Sequence, residues 1–165
     1  MIKNINHSNV VHYGFDSILI KWDMSGLGKP SCVKILKNEF ADPEKVAQLD
    51  NEFELCSRLK CSHIRKAIRR EKIEGNEALL LEYIEGKDLN KILKTERLSF
   101  SQKLHMAIDI ASALTCLQKE NIFHRRIQPS NILVEQSTNK VFLIDFALAT
   151  EGNVFEEAKT MLNEK

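Results

Sequence analysis

At 165 residues the chain is long enough to bury the core of one domain. Hydrophobic residues at 43% and charged residues at 28% fit a soluble globular protein rather than a disordered chain. With 24 basic against 23 acidic residues, no net charge draws it to nucleic acid or to an anionic membrane.

The N-terminal twenty residues lack a basic start, a continuous apolar run and a small-residue cleavage site. No later segment approaches the roughly 18 apolar residues that span a bilayer. Cys32, Cys56, Cys61 and Cys116 form no Cys-x-x-Cys pair and no Cys/His zinc spacing. The expectation is a cytoplasmic chain with reduced, packed cysteines and no membrane segment.

Two β-branched runs, 17–22 and 31–36, predict antiparallel strands joined by the turn-rich linker Asp23-Met-Ser-Gly-Leu-Gly-Lys-Pro30. Asp42 can cap a helix whose first turn holds Pro43. Val46, Leu49, Phe53 and Cys56 then give one apolar face to about residue 59. Strands follow near 67–73 and 77–84, the second more apolar and therefore more buried. Glu85-Gly86-Lys87-Asp88 breaks that strand. Helices are predicted over about 88–94 and 100–119, the longer one burying Leu104, Ile108, Ala111 and Leu114–Thr115. A loop at 121–130 leads into short strands at 132–135 and 141–144, and Val154–Leu162 offers one or two further helical turns. Strands with one helix, then a break, then mostly helix, argue for an α+β fold in two parts, 1–84 and 85–165.

Four polar residues carry a coherent chemistry. Lys34 sits in an apolar strand, where it needs a partner charge, and Glu52 on the capped helix can supply one. Asn131 precedes a strand and Asp145 ends one, both oxygen donors suited to a hard cation that also carries phosphate. A plain structural ion pair is the bland alternative for Lys34 and Glu52.

Around these residues lie five ordered motifs: Cys32-Val-Lys-Ile-Leu36, Asn51-Glu-Phe-Glu-Leu-Cys-Ser-Arg-Leu59, Leu81-Glu-Tyr-Ile-Glu-Gly86, Ile122-Phe-His-Arg-Arg-Ile-Gln-Pro-Ser-Asn-Ile-Leu133 and Leu143-Ile-Asp-Phe-Ala147. Together they resemble the lysine strand, regulatory helix, hinge, catalytic loop and magnesium-binding turn of eukaryotic-type Ser/Thr protein kinases. In flavour the sequence is most similar to the kinase-like modules at the front of bacterial multi-sensor signalling kinases. The resemblance implies an antiparallel-sheet lobe with one regulatory helix, followed by the first, mainly helical part of a second lobe. It implies ATP and Mg²⁺ as ligands, with Lys34 on the α- and β-phosphates and paired to Glu52. It further implies adenine between Leu19, Cys32 and Leu133, its edge on backbone groups of Glu82 and Ile84, and metal on Asn131 and Asp145. His124, Phe146 and Cys56 would stack as a hydrophobic spine, His124 being a core residue rather than an acid or base.

Four departures qualify that picture. The catalytic aspartate position holds Arg126, and a guanidinium with a pKa above about 12 accepts no proton. Loss of a general base lowers rate by about 10²–10⁴. Gln128 stands at the loop-lysine position and Ala147 where the family has glycine. The phosphate-covering loop keeps only Gly14, with His12 and Ser17 at the flanking glycine positions. The family also continues past residue 165, so a fragment and a natural truncation are both open.

The expectation is therefore a catalytically impaired, ATP-binding or regulatory module in bacterial signalling, with a protein partner or a multi-domain parent. An active Ser/Thr kinase seen as a fragment, and an inert remnant or scaffold, are the alternatives. Arg125–Arg126 reads equally as an anion site or as solvent-facing, and the basic run Arg58–Lys72 as a solvated edge.

Overall fold

The computed structural model describes residues 9–22 and 30–152. The linker expected at 23–30 falls, but for Pro30, outside them, as does the helix expected at 154–162. Among the described residues, no helix is long and apolar enough to cross a membrane.

Five strands form the first sheet: β1 (Val10–Tyr13), β2 (Ser17–Trp22), β3 (Ser31–Leu36), β4 (Ala67–Ile73) and β5 (Asn76–Glu82). Their order is β1-β2-β3-β5-β4 and every pairing is antiparallel. In the central strand β3 every residue is buried except the half-buried Lys34, which is why it reads as a continuous apolar run rather than an alternation. One face of the sheet packs Ile18, Ile20, Val33, Ile35, Ala78 and Leu80 among themselves. The other joins the main core, which continues through Leu55, Ile64, Leu143 and Phe146.

Helix α1 (Pro43–Arg58) lies against β4 and β5. The Asp42 carboxylate accepts the Lys45 N–H at 2.8 Å, and Pro43 suits the first turn because its missing N–H would have had no partner there. Asp88 caps α2 (Leu89–Thr95) in the same way, and Ser99 with Gln102 forms a capping box on α3 (Phe100–Lys119).

The chain between β5 and α2 is a further strand, β6 (Gly86–Asp88), paired with β8 (Ile132–Glu135), which in turn pairs with β9 (Val141–Leu143). The glycine that reads as a strand breaker is a packing requirement. A Cβ on Gly86 would lie 2.0 Å from the Val134 carbonyl oxygen. Strand β5 ends at Glu82, leaving Tyr83 and Ile84 outside it; Tyr83 donates instead to the Pro30 carbonyl. Short strands β7 (Ile122–Phe123) and β10 (Thr150–Glu151), not expected from sequence, close the loop between them.

The buried face of α3 is a correction. Leu104, Ile108 and Leu114 are exposed, as are Ala111 and Thr115, while Met106, Ala113 and Leu117 are buried. Both stripes recur at helical spacing, so periodicity alone cannot choose between them. A polar contact sets the rotation: the Asp109 carboxylate accepts the Val141 N–H at 3.0 Å, which turns positions 106, 113 and 117 inward toward β9.

The turn after α1 fastens the two parts of the molecule. His63 and Arg65 exchange backbone hydrogen bonds with Leu143 of β9, at 2.8 Å and 3.3 Å.

Candidate functional site

A cleft of about 750 Å³ opens between the first sheet and the loop that precedes β8, a size typical of small-ligand sites. Leu19, Cys32, Ile84 and Leu133 give it apolar lining, and Lys34, Arg126, Asn131 and Asp145 polar lining. Gly14 and Gln128 also face it. Glu82 does not: its N–H donates to the Lys66 carbonyl, and its own carbonyl lies 3.6 Å from the Cys32 thiol. Glu52 is buried behind Lys34 rather than on the wall.

β3 carries Lys34 across the sheet so that Nζ meets Glu52 Oε2 of α1 at 2.6 Å and Asp145 Oδ1 at 3.3 Å. Burial disfavours the ammonium, yet Glu52 and then Asp145 outweigh it and hold the Lys34 pKa above its ordinary value. Glu52 has a second partner that sequence reasoning missed. Arg65 is buried and brings Nη2 to 3.6 Å from Glu52 Oε1. The available signal was stoichiometric, since a buried carboxylate has two oxygens and only one had been given a cation.

Arg65 is the one buried member of the basic run, whose Arg58, Lys60, Arg69 and Lys72 are exposed as a solvated edge would be. Several of its cations are paired: Arg58 with Glu151, Arg69 with Glu71, Arg70 with Asp50 and Glu77, and Lys72 with Glu77.

After β9 the chain turns sharply at Asp145, whose φ is 68°, a left-handed conformation. Ala147 does not need one, so alanine fits where the family has glycine. Phe146 is fully buried and meets His124 edge-on, ring centroids 4.6 Å apart, within the core that also holds Cys56. Burial, then Glu52, pushes the Cys56 thiol up to about 12, leaving it inert as a nucleophile. Asn51, another residue without a sequence signal, sends its amide nitrogen to the carbonyls of Phe146, Ala147 and Ala149 at 2.8–3.3 Å, fastening α1 to this turn.

His124 is held in one tautomer by what surrounds it. Nε2 faces the Ile144 carbonyl at 3.0 Å, which can only accept, and Nδ1 faces the Arg126 N–H at 3.3 Å, which can only donate. The ring is therefore neutral with its proton on Nε2. Burial lowers its pKa, opposed by the Ile144 hydrogen bond. Through Nδ1 it holds the loop backbone at Arg126.

Arg126 is half exposed but does not point away. Its Nη1 lies 3.4 Å from Asp145 Oδ2, and its carbonyl accepts the Asn131 amide at 3.0 Å. Burial raises the Asp145 pKa, but Lys34 and then Arg126 outweigh it and hold the carboxyl below the usual range. Each carboxylate oxygen thus faces its own side-chain cation. Magnesium demands near-octahedral oxygen ligands at close range. Asp145 does not fit that ion while the guanidinium stands against its carboxylate, whereas the Asn131 amide, its nitrogen on the Arg126 carbonyl, keeps its oxygen as a candidate ligand.

The β1–β2 turn over the cleft keeps Gly14 and is tied down by lysine side chains. The Lys37 ammonium donates to the carbonyls of Gly14 and Phe15, both at 2.8 Å, and Lys45 pairs with Asp16 at 2.9 Å. His12 and Ser17 line the cleft beside Gly14.

Residues 21–163 match the protein kinase domain family. A probable serine/threonine-protein kinase of Clostridium perfringens is 31% identical over 119 residues, which is 71% of this chain and 17% of that protein. One of Clostridium acetobutylicum is 32% identical over 130 residues, 77% of this chain and 20% of that protein. A serine/threonine-protein kinase of Drosophila persimilis is 31% identical over 153 residues, 90% of this chain and 20% of that protein. The chain spans about a fifth or less of the length of these relatives.

Proposed function

This chain belongs to the protein kinase family, and we propose that within it the chain acts as a nucleotide-binding regulatory module that has lost phosphoryl transfer. The observation that carries this reading is a division of the site. The Lys34–Glu52 pair stands at 2.6 Å beside an apolar-lined cleft, whereas the base position holds a guanidinium bound to Asp145.

The roles follow from chemistry. Leu19, Cys32 and Leu133 offer apolar surface for a purine ring, and the backbone beside Ile84 offers its polar edge hydrogen bonds. Lys34 and Arg126 offer positive charge to phosphate oxygens, Arg126 with a planar fork suited to two of them. Lys34, Lys45, Arg65, Lys91 and Arg126 stand against Asp16, Asp88, Asp145 and the Glu52 behind Lys34, a surplus of one cation that suits an anionic ligand. At residue 126 no group can take a proton from a substrate hydroxyl, and Gln128 cannot steady a transferring phosphate by charge. Regulation of a protein partner, or of the rest of a longer signalling protein, is the role this leaves.

Two measurements test the reading. Titration with ATP should raise the unfolding temperature by an amount that grows with ligand concentration, and Lys34→Met should remove the effect. Incubation with γ-labelled ATP and a general acceptor protein should give no incorporation. The geometry of Lys34 and Glu52 favours a second reading, an active Ser/Thr kinase. Incorporation that is abolished by Lys34→Met would establish that one instead.

A further inference from the structure

On the nucleotide-binding reading, the cation that accompanies the ligand in this cleft is decided at Asp145. Asp145 offers two carboxylate oxygens, and both are engaged: Oδ1 by Lys34 Nζ at 3.3 Å and Oδ2 by Arg126 Nη1 at 3.4 Å. The second residue expected to bind metal, Asn131, is buried, and its amide nitrogen holds the carbonyl of Arg126. His124, itself fixed by Ile144, accepts the N–H of Arg126. The loop therefore grips the Arg126 backbone on both sides, and the Asp145 carboxylate draws its side chain in. A guanidinium stays charged at any physiological pH, so it cannot yield to an incoming ion by losing its proton.

A metal at Asp145 would have to displace Arg126 and then sit beside a permanent positive charge. Phosphate oxygens, by contrast, can approach the remaining donors of the same guanidinium without breaking its contact with Asp145, because the group carries five N–H donors. The half-exposed position of Arg126 leaves it open to the cleft it lines.

We propose that Arg126 is a built-in replacement for the divalent cation, so that the cleft binds a metal-free nucleoside triphosphate, with its phosphates on Lys34 and Arg126. Magnesium then competes with the protein for those phosphates and lowers the ligand's negative charge. Binding is weaker with magnesium than without it.

The test is calorimetric titration of the 165-residue chain with ATP, once in EDTA and once in excess magnesium. The wild-type protein should bind at least about threefold more tightly in EDTA, the size of one half-exposed ion pair. Arg126→Ala should weaken binding in EDTA by about fivefold and reverse the order, so that magnesium helps. Arg126→Lys, which keeps a charge but loses the fork, should fall between. Circular dichroism confirms that each variant is folded before it is titrated. Wild-type binding that is tighter with magnesium, or an Arg126→Ala protein with unchanged affinity in EDTA, overturns this proposal and leaves nucleotide binding intact. No binding of ATP in either buffer overturns both.

Discussion

Glu52 is a buried carboxylate between two cations, and the size of its contribution to stability follows from those partners. Its carboxylate is 1% exposed and meets Lys34 at 2.6 Å and Arg65 at 3.6 Å. Glu52→Gln keeps the shape and one acceptor oxygen but leaves two cations with no carboxylate between them. Breaking a buried ion pair from one side typically costs about 3–5 kcal/mol. Here Lys34 is partly exposed and retains Asp145 at 3.3 Å, so the lower end applies, about 3 kcal/mol. For a chain of this length that shifts Tm by roughly 6–12 °C. Urea unfolding followed by far-ultraviolet circular dichroism and by the fluorescence of Trp22, the one tryptophan, measures the loss with the slope m held constant. Removing the surplus cation as well, in Glu52→Gln with Arg65→Leu, should recover more than half of it. A loss below about 1 kcal/mol, or a double variant no better than the single, refutes the claim that one carboxylate neutralises both cations.

Gly86→Ala should destabilise by about 2–3 kcal/mol, because the added methyl meets a backbone carbonyl that cannot move aside without parting β6 from β8; an unchanged urea midpoint would show that the strands can separate freely. His124 sets a pH dependence. Its folded pKa lies below the ordinary 6.5, so its contribution is complete above that pH and is lost as pH falls through the folded value. Between pH 7 and 5.5 stability should fall by no more than about 1.4 kcal/mol per unit from this group, and His124→Asn should flatten that slope. An identical slope in the variant would mean that the imidazole is not the titrating group. Asp145 does not confuse the measurement, since its depressed pKa places its own loss below 3.8.

Much of the scaffold was legible in order along the chain because local signals were strong. Asp42 and Pro43 announced α1, and β-branched runs marked β2 and β3 within the residues where they occur. What could not be read locally were contacts between distant segments. Gly86 looks like a breaker until Val134 lies against it. The apolar stripe of α3 was assigned to the wrong side because its rotation depends on Asp109 meeting Val141, 32 residues away. Asn51 gives no sign of reaching three carbonyls beyond residue 145, nor Arg65 of sharing a carboxylate with Lys34.

Sequence alone determined the family, the pairing of Lys34 with Glu52, and the absence of a proton acceptor at residue 126, since each depends on residue type at a fixed spacing. Only the tertiary structure decided where the Arg126 side chain goes. A guanidinium in an exposed loop has many rotamers of similar energy, and the choice among them is made by Asp145, brought within 3.4 Å by the folding of β8 against β9. Charge at a position can be read from one letter, but the partner of that charge exists only once the chain has closed around it.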